Sequence, residues 1–318
     1  MDLSVRRIDL AQLGDGGVFQ SPFWARLKAL NGWQALPVEV EGRGTCLVLV
    51  RRIARVFTLA YIPLGLGFLK GEDEVAAFSR AIRPLLPGGC LLLRVDLDWG
   101  HMTTPHILKP CSASVQPTGT VRIDLTGELD FKDRARRNLR KEEGIVIRLW
   151  DGDGETFHKW YETYVHTALR DHFSTRGEDY LRAIFDIADG NVRPLLYLAY
   201  SDGEVSGGIL NLRTDREEVY LFGSSVKHTS GVSCGYALQT HAILCAKAAG
   251  VATYDLFGIE GADESGSHLA SLTTFKTAFG GQRVYRTGTM DYVYRPVMGR
   301  LFRFVDSLRF RQARRSRI

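Results

Sequence analysis

The chain has 318 residues, 45% of them hydrophobic and 24% charged, which is enough for two ordinary domains and excludes global disorder and low complexity. The net charge of +5 is uneven: from Asp291 onward eight arginines face two aspartates, so that segment carries +6 and the rest of the chain −1. The opening MDLSVRRIDL lacks the apolar core of a secretory signal, and the longest apolar run, VFTLAYIPLGLGFL, is too short for a bilayer span and holds Pro63 and two glycines. Cys46, Cys90, Cys111, Cys234 and Cys245 are far apart with no CxxC pair, so neither a zinc site nor a disulfide framework is signalled and a reducing cytoplasm is expected.

In chain order, SPFWARLKALNGW reads as a helix, and PVEVEGRGTCLVLVRRIARVFTLAYIPLG as strand, turn, strand, strand. The helix VAAFSRAIRPLL follows, then Gly88-Gly89 and the strand CLLLRVDLDW. The basic FKDRARRNLRKEEG and the amphipathic FHKWYETYVHTALRDHF are helical in pattern. PLLYLAYSDGEVSGGILNLRTDREEVYLFGSS then gives three strands, with turns at Ser201-Asp202-Gly203 and Thr214-Asp215. The helix YALQTHAILCAKAAG stops at Gly250, and ATYDLFGIE closes the set as a strand. From about Pro296 a last amphipathic helix is able to pack on either half.

One unit therefore occurs twice: helix, antiparallel strands, helix, strand. That order is the one a GNAT-type acyltransferase uses. The expected fold is α/β (α+β), with two tandem GNAT-like units, each a mixed, largely antiparallel sheet flanked by helices. The first spans 1–118 together with 293–318, the second 119–292.

Several constellations carry candidate chemistry. GVSCG, with Asp255 and His268 after it, matches the order of a serine-hydrolase elbow, but the polar SSVKHTSG stands where a strand must enter the serine. The same glycines do not fit the R/Q-x-x-G-x-G/A loop that cradles the diphosphate of coenzyme A. The eight histidines include no HExxH, and no metal site is expected. Asp96 ends an apolar strand, where clefts open in such sheets. It suits either a proton acceptor for an attacking amine or a buried partner for an arginine. Asp255 holds the equivalent place in the second unit, where a structural acid is the stronger reading. Arg176 and Tyr180 would face one way if they share a helix. Lys28 follows Trp24 by one turn. In LTTFKTAFGG, Lys276 is either a cap on its own helix carbonyls or a charge held to meet an anion.

In order and spacing, FQSPFWARLKALNGW, AYIPLGLG, LLLRVDLDW, ARRNLRKEEGIVI, RDHFSTRGEDYL, YLFGSSVKHTSGVSCGYALQ, AKAAGVATYDLFGIE and FKTAFGG resemble the Fem family (FemABX) along almost the whole chain. The family consists of aminoacyl-tRNA-dependent transferases that build the interpeptide bridge of peptidoglycan. The resemblance implies two GNAT-type units of the armless subtype, since no heptad stretch is present. The donor would be aminoacyl-tRNA and the acceptor amine part of a UDP-linked or lipid-linked muramyl pentapeptide. No cofactor is implied, because the donor ester is already activated. Carried over by motif, Lys28 and Arg176 would meet the acceptor's diphosphate, Trp24 and Trp33 would shape that end of the cleft, and Tyr180 would line the channel. Asp96 would lie near the amine. Phe275 and Lys276 would sit where the tRNA 3′ end arrives, with Lys276 supplying positive charge and the two glycines admitting the nucleic acid. The sequence departs from the pattern at Phe222, preceded by Tyr220, and at Leu91, where a tyrosine is expected. The basic stretch from Lys132 to Lys141 and the arginine-rich C-terminus suit phosphate, on tRNA or on the inner membrane surface. The expected location is cytoplasmic, peripheral to the membrane if the tail binds it. An N-acyltransferase using a coenzyme A or carrier-protein thioester is the alternative enzyme, and a non-catalytic binder of precursor or RNA is the third reading.

Overall fold

The computed structural model describes residues 3–142, 144–188, 190–226, 233–264, 266 and 269–315, with side chains up to Arg309 in the final helix. The chain forms two compact units. One comprises 1–119, 261–263 and 284–318; the other comprises 120–260 and 264–283.

The first unit begins with β1 (Val5–Arg7) and α1 (Pro22–Ala29). Ser21 caps α1 by accepting from the Trp24 N–H, and Pro22 fills the first helical position, where no amide donor is needed. There follow β2 (Trp33–Val40), β3 (Gly44–Arg52), β4 (Thr58–Gly65), α2 (Gly71–Ala81), β5 (Cys90–Leu97) and β6 (Lys109–Pro110). The second unit holds β7 (Gly119–Asp124), α3 (Asp133–Lys141), β8 (Val146–Leu149), α4 (Gly154–Asp171) and α5 (Glu178–Asp186). It continues with β9 (Arg193–Ser201), β10 (Glu204–Arg213), β11 (Glu217–Ser225), α6 (Gly235–Ala248), β12 (Thr253–Asp255), α7 (Ala270–Lys276) and β13 (Gln282–Tyr285). β14 (Met290–Val293) and α8 (Pro296–Arg315) return to the first unit.

Each unit contains one mixed sheet of seven strands, in the orders β1-β2-β3-β4-β5-β14-β6 and β13-β7-β12-β11-β10-β9-β8. The repeat read from the sequence is visible in the pairing. Three antiparallel strands lead through one helix into a fourth that runs parallel to the third, β4 with β5 and β11 with β12. β5 is buried along its whole length, as expected of an apolar strand covered on both faces. Val48, Ile62, Phe78, Leu93 and Val95 belong to the core of this unit.

β14 pairs with β5 in the first sheet, ahead of the expected boundary at 293. α8 also belongs to the first unit. Its Met298 and Phe302 pack on Leu59, Leu91 and Leu92, and the buried Arg94 holds Asp291 on β14 and Asp306 on α8 at 2.8 Å each.

Candidate functional site

In the second unit, the parallel pair β11–β12 positions Lys276. α7 delivers this residue from its last turn, yet the ammonium does not cap its own helix. It donates to the carbonyls of Phe257 and Gly258, 19 and 18 residues away, just past the end of β12. The capping alternative is therefore replaced by a cross-link between α7 and the strand end. Lys276 is only 5% exposed, and its ammonium lies 5.2 Å from the centre of the Tyr220 ring. Burial pushes its pKa down to about 7, with Asp255 pulling the other way. Two of its three N–H donors are used by carbonyls, which leaves one for a ligand. Phe257 adopts φ 43°, a left-handed conformation that a bulky side chain rarely takes, and the carbonyl it offers Lys276 leaves from that turn.

Asp255 ends β12 fully buried. It accepts from Thr120 Oγ1 at 2.5 Å and from the Phe257 N–H at 2.8 Å, and burial raises its pKa. A β-bulge interrupts the β10–β11 ladder between the pairs Leu210–Phe222 and Asn211–Tyr220, so the Tyr220 ring is placed at Lys276 by an irregular strand. The sequence marks Tyr220 only as lying two residues before a departure.

Gly280 and Gly281 have an internal reason to be glycines. Both have positive φ, 79° and 77°. A Cβ would stand 2.4 Å from the Asp130 carbonyl at Gly280 and 2.6 Å from the Arg122 carbonyl at Gly281. They admit the protein's own backbone, which corrects the expectation that they make room for nucleic acid. Phe275 packs edge-on to Tyr236 at 5.0 Å and to the fully buried Phe279 at 5.2 Å, a cluster that fixes the end of α7.

Glu142 closes the N-terminal end of α6. It follows the last residue of α3, is 5% exposed, and accepts from the Ala237 N–H at 2.6 Å and the Tyr236 N–H at 3.4 Å. The Gly235 N–H goes to Ser233 Oγ at 3.4 Å. The opening amides of α6, the place where a helix N-terminus would cradle a diphosphate, thus already have protein partners, one of them a carboxylate. Burial pushes Glu142 up to about 7 against the pull of these two amides. Arg134 on α3 also reaches α6, donating to the Tyr236 hydroxyl at 3.1 Å. Its neighbours Arg137, Asn138, Arg140 and Lys141 line a basic groove of about 350 Å³ with it.

In the first unit, Asp96 is fully buried and spends its oxygens inside the protein. Oδ2 accepts from the Tyr61 hydroxyl at 2.6 Å, and Oδ1 accepts from Thr289 Oγ1 at 2.5 Å and lies 3.0 Å from Arg286 Nη1. Arg286, also fully buried, donates to the carbonyls of Gln116, Pro117 and Thr287. Of the two roles open for Asp96 in the sequence, this geometry is that of an arginine's partner. The Trp33 and Tyr61 rings lie 5.9 Å apart, so Trp33 reaches Asp96 through one tyrosine. The Lys28 ammonium sits 4.9 Å from the centre of the buried Trp24 ring, whose indole N–H has no partner. An unpartnered donor beside a cation suits an anionic ligand.

Arg176 and Tyr180 do not share a helix. α5 begins at Glu178 with Gly177 as its cap, so Arg176 stands outside it, exposed, and folds back to 5.6 Å from the Tyr180 ring. Of the elbow GVSCG, residues 231 and 232 lie outside the described residues, as does His268, while Asp255 is bound to Thr120 and Arg122. The side chains of the arginine tail after Arg309 also lie outside them. Among the described residues no group of three His, Cys, Asp or Glu is arranged to hold a metal, and no helix is long and apolar enough to cross a membrane.

Residues 132–266, from the start of α3 to the loop after β12, match the family model of the acetyltransferase (GNAT) domain, which supports an acyltransferase. No curated protein sequence matches the chain. Among solved structures, FemX superposes with a TM-score of 0.74 at 18% identity, covering 94% of this chain and 100% of its own. L-PGS from Bacillus licheniformis superposes at 0.53 and 13% identity, covering 87% and 90%. At such identities the likeness is one of fold. Each unit has a GNAT-like fold, and the two follow one another in the chain, a fold that FemX shares.

Proposed function

We propose that the protein is a Fem-type aminoacyltransferase of the armless kind, moving an amino acid from aminoacyl-tRNA to the side-chain amine of a muramyl pentapeptide. The observation that carries this reading is a GNAT-like sheet whose α6 amides are already taken up by Glu142 and Ser233, beside a buried lysine at the adjacent strand end. Such a site disfavours a donor anchored by a diphosphate on α6 and leaves Lys276 to meet charge. Lys276 donates its remaining N–H to the oxyanion formed as the amine attacks the ester carbonyl, or to the departing ribose oxygen. The C–N bond forms, the C–O bond to ribose breaks, and the proton lost by the amine ends on the ribose oxygen. Asp96 acts by holding Tyr61 and Arg286 in place. Lys28 over Trp24 in the first unit, and Arg176 over Tyr180 in the second, each offer a cation held on an aromatic ring, a pairing suited to phosphate.

The GNAT domain match favours a second reading, a thioester-dependent N-acyltransferase. Thermal unfolding separates the two. UDP-linked muramyl pentapeptide at a hundredfold its Kd stabilises by about 2.7 kcal/mol, and coenzyme A at the same concentration leaves the midpoint unchanged. A coenzyme A shift without a precursor shift would transfer the chain to the thioester reading.

The basic groove on α3 supplies the contact to tRNA phosphates in this account. Arg137, Arg140 and Lys141 are exposed, and among the described residues none is paired with a carboxylate. Replacing all three by glutamine flattens the slope of log affinity for tRNA against log salt by about 2–3. Fluorescence anisotropy from low to physiological salt reads that slope, and an unchanged slope would place the RNA elsewhere.

A further inference from the structure

α8 has two apolar faces, of which the first unit uses one. Met298, Phe302 and the ion-paired Asp306 turn inward. Val297, Leu301, Phe304, Val305 and Leu308 fall within an arc of about 100° beside them and are exposed, from 37% at Val305 to 79% at Val297. Five large apolar side chains contiguous on one helix are more than the scattered surface leucines of an ordinary protein. At the two edges of the stripe stand the exposed Arg300 and Arg309, and the sequence continues with Arg311, Arg314, Arg315 and Arg317.

We propose that this face of α8 lies in the surface of an anionic bilayer, with Val297, Leu301, Phe304 and Leu308 among the acyl chains and the arginines at the lipid phosphates. The pairing of chemistries selects the occupant. RNA would use the arginines and leave the apolar stripe in water. A second copy of the chain would cover the stripe and bring two arginine edges together. A bilayer of anionic lipid satisfies both features of one helix. α8 is 20 residues long, and with charged residues throughout it lies along the surface and does not cross. Lipid binding stands independently of the transfer reaction. Its use, bringing the enzyme to a lipid-linked acceptor, rests on the function proposed above.

The test is co-sedimentation of the full chain with vesicles of phosphatidylglycerol and phosphatidylcholine, against phosphatidylcholine alone. The variant is Leu301→Ser with Phe304→Ser, which leaves the inward face intact; circular dichroism and the melting temperature verify its fold. The wild type partitions onto the anionic vesicles at least about tenfold more strongly than onto the zwitterionic ones, and less as salt rises. The double variant loses roughly tenfold or more of that partition. Equal partition of variant and wild type would overturn the proposal. So would a lipid-free wild-type dimer, seen by light scattering, that the double variant dissociates. Transfer to the water-soluble UDP-linked acceptor without vesicles is the same for both proteins, whereas transfer to the lipid-linked acceptor in vesicles slows in the variant. Absence of transfer by the wild type in either assay would count against the functional reading and leave the vesicle result standing.

Discussion

Changing Lys276 to methionine lowers kcat by about 10²–10³ while the Kd for the muramyl precursor stays within about threefold. The expected loss is that of one preorganised donor to an oxyanion in a dry site, roughly 3–4 kcal/mol of barrier. Methionine keeps the volume of the stem and removes the charge. The cost of leaving the Phe257 and Gly258 carbonyls without their partner is about 1–3 kcal/mol and appears in the melting temperature, so kcat is read per folded molecule. The pH dependence carries a further signature. Burial brings the Lys276 pKa down to about 7, so the cation is present below that pH and lost as pH rises through it. The attacking amine changes in the opposite sense, becoming a better nucleophile as pH rises. Their product is a bell whose alkaline limb belongs to Lys276. Lys276→Arg keeps its charge and loses that limb, even where its kcat is lower. For stability the sign is separate. The native lysine releases its proton near 7 and the unfolded one near 10.5, so the unfolded state binds more protons between them and this contribution to stability rises with pH. Unaltered kcat and pH profile in Lys276→Met would remove Lys276 from the chemistry.

Changing Arg286 to methionine destabilises the first unit by about 3–5 kcal/mol, because it leaves the Asp96 carboxylate buried without its counter-charge. The arginine donates to three carbonyls as well as facing Asp96, and those acceptors also lose their partner. For a unit of this size the melting temperature falls by roughly 10 °C. Asp96→Asn is milder, about 1–3 kcal/mol, since the amide keeps the shape and one acceptor. The two roles once open for Asp96 part company at this variant. A positioning residue leaves kcat per folded molecule within a few-fold, whereas loss of a general base costs about 10²–10⁴. Urea unfolding and single-turnover transfer on the same preparations give both numbers.

The repeat of strands and helices was legible because it rests on local signals. Alternating apolar runs, the Ser201-Asp202-Gly203 turn and the Gly250 stop each act over a few residues. What the sequence hid lies in partners far along the chain. Lys276 reads equally as a helix cap or as a charge held for an anion until the fold brings the Phe257 and Gly258 carbonyls to it. Glu142 reads as one more charge in a charged stretch until α6, more than ninety residues later, presents its first amides. The demand for glycine at 280 and 281 is invisible in the sequence because the Asp130 and Arg122 carbonyls that impose it are 150 or more residues earlier. Whether Arg176 shares a helix with Tyr180 stays open in the sequence, since Gly177 serves equally as a cap or as a helical residue in a periodicity argument, and in the structure the helix begins two residues after Arg176. The amphipathic pattern of α8 was visible, but one apolar face and two adjoining ones give similar patterns until one of them packs.

Aminoacyl transfer is measured by incubating the protein with a total tRNA pool charged with radiolabelled amino acids and with UDP-linked or lipid-linked muramyl pentapeptide, with and without ribonuclease. A Fem-type transferase puts label in the muramyl peptide, which ribonuclease abolishes and Lys276→Met reduces by about 10²–10³. Label arriving from a coenzyme A thioester, with none from charged tRNA on either acceptor, would rule out an aminoacyl-tRNA donor.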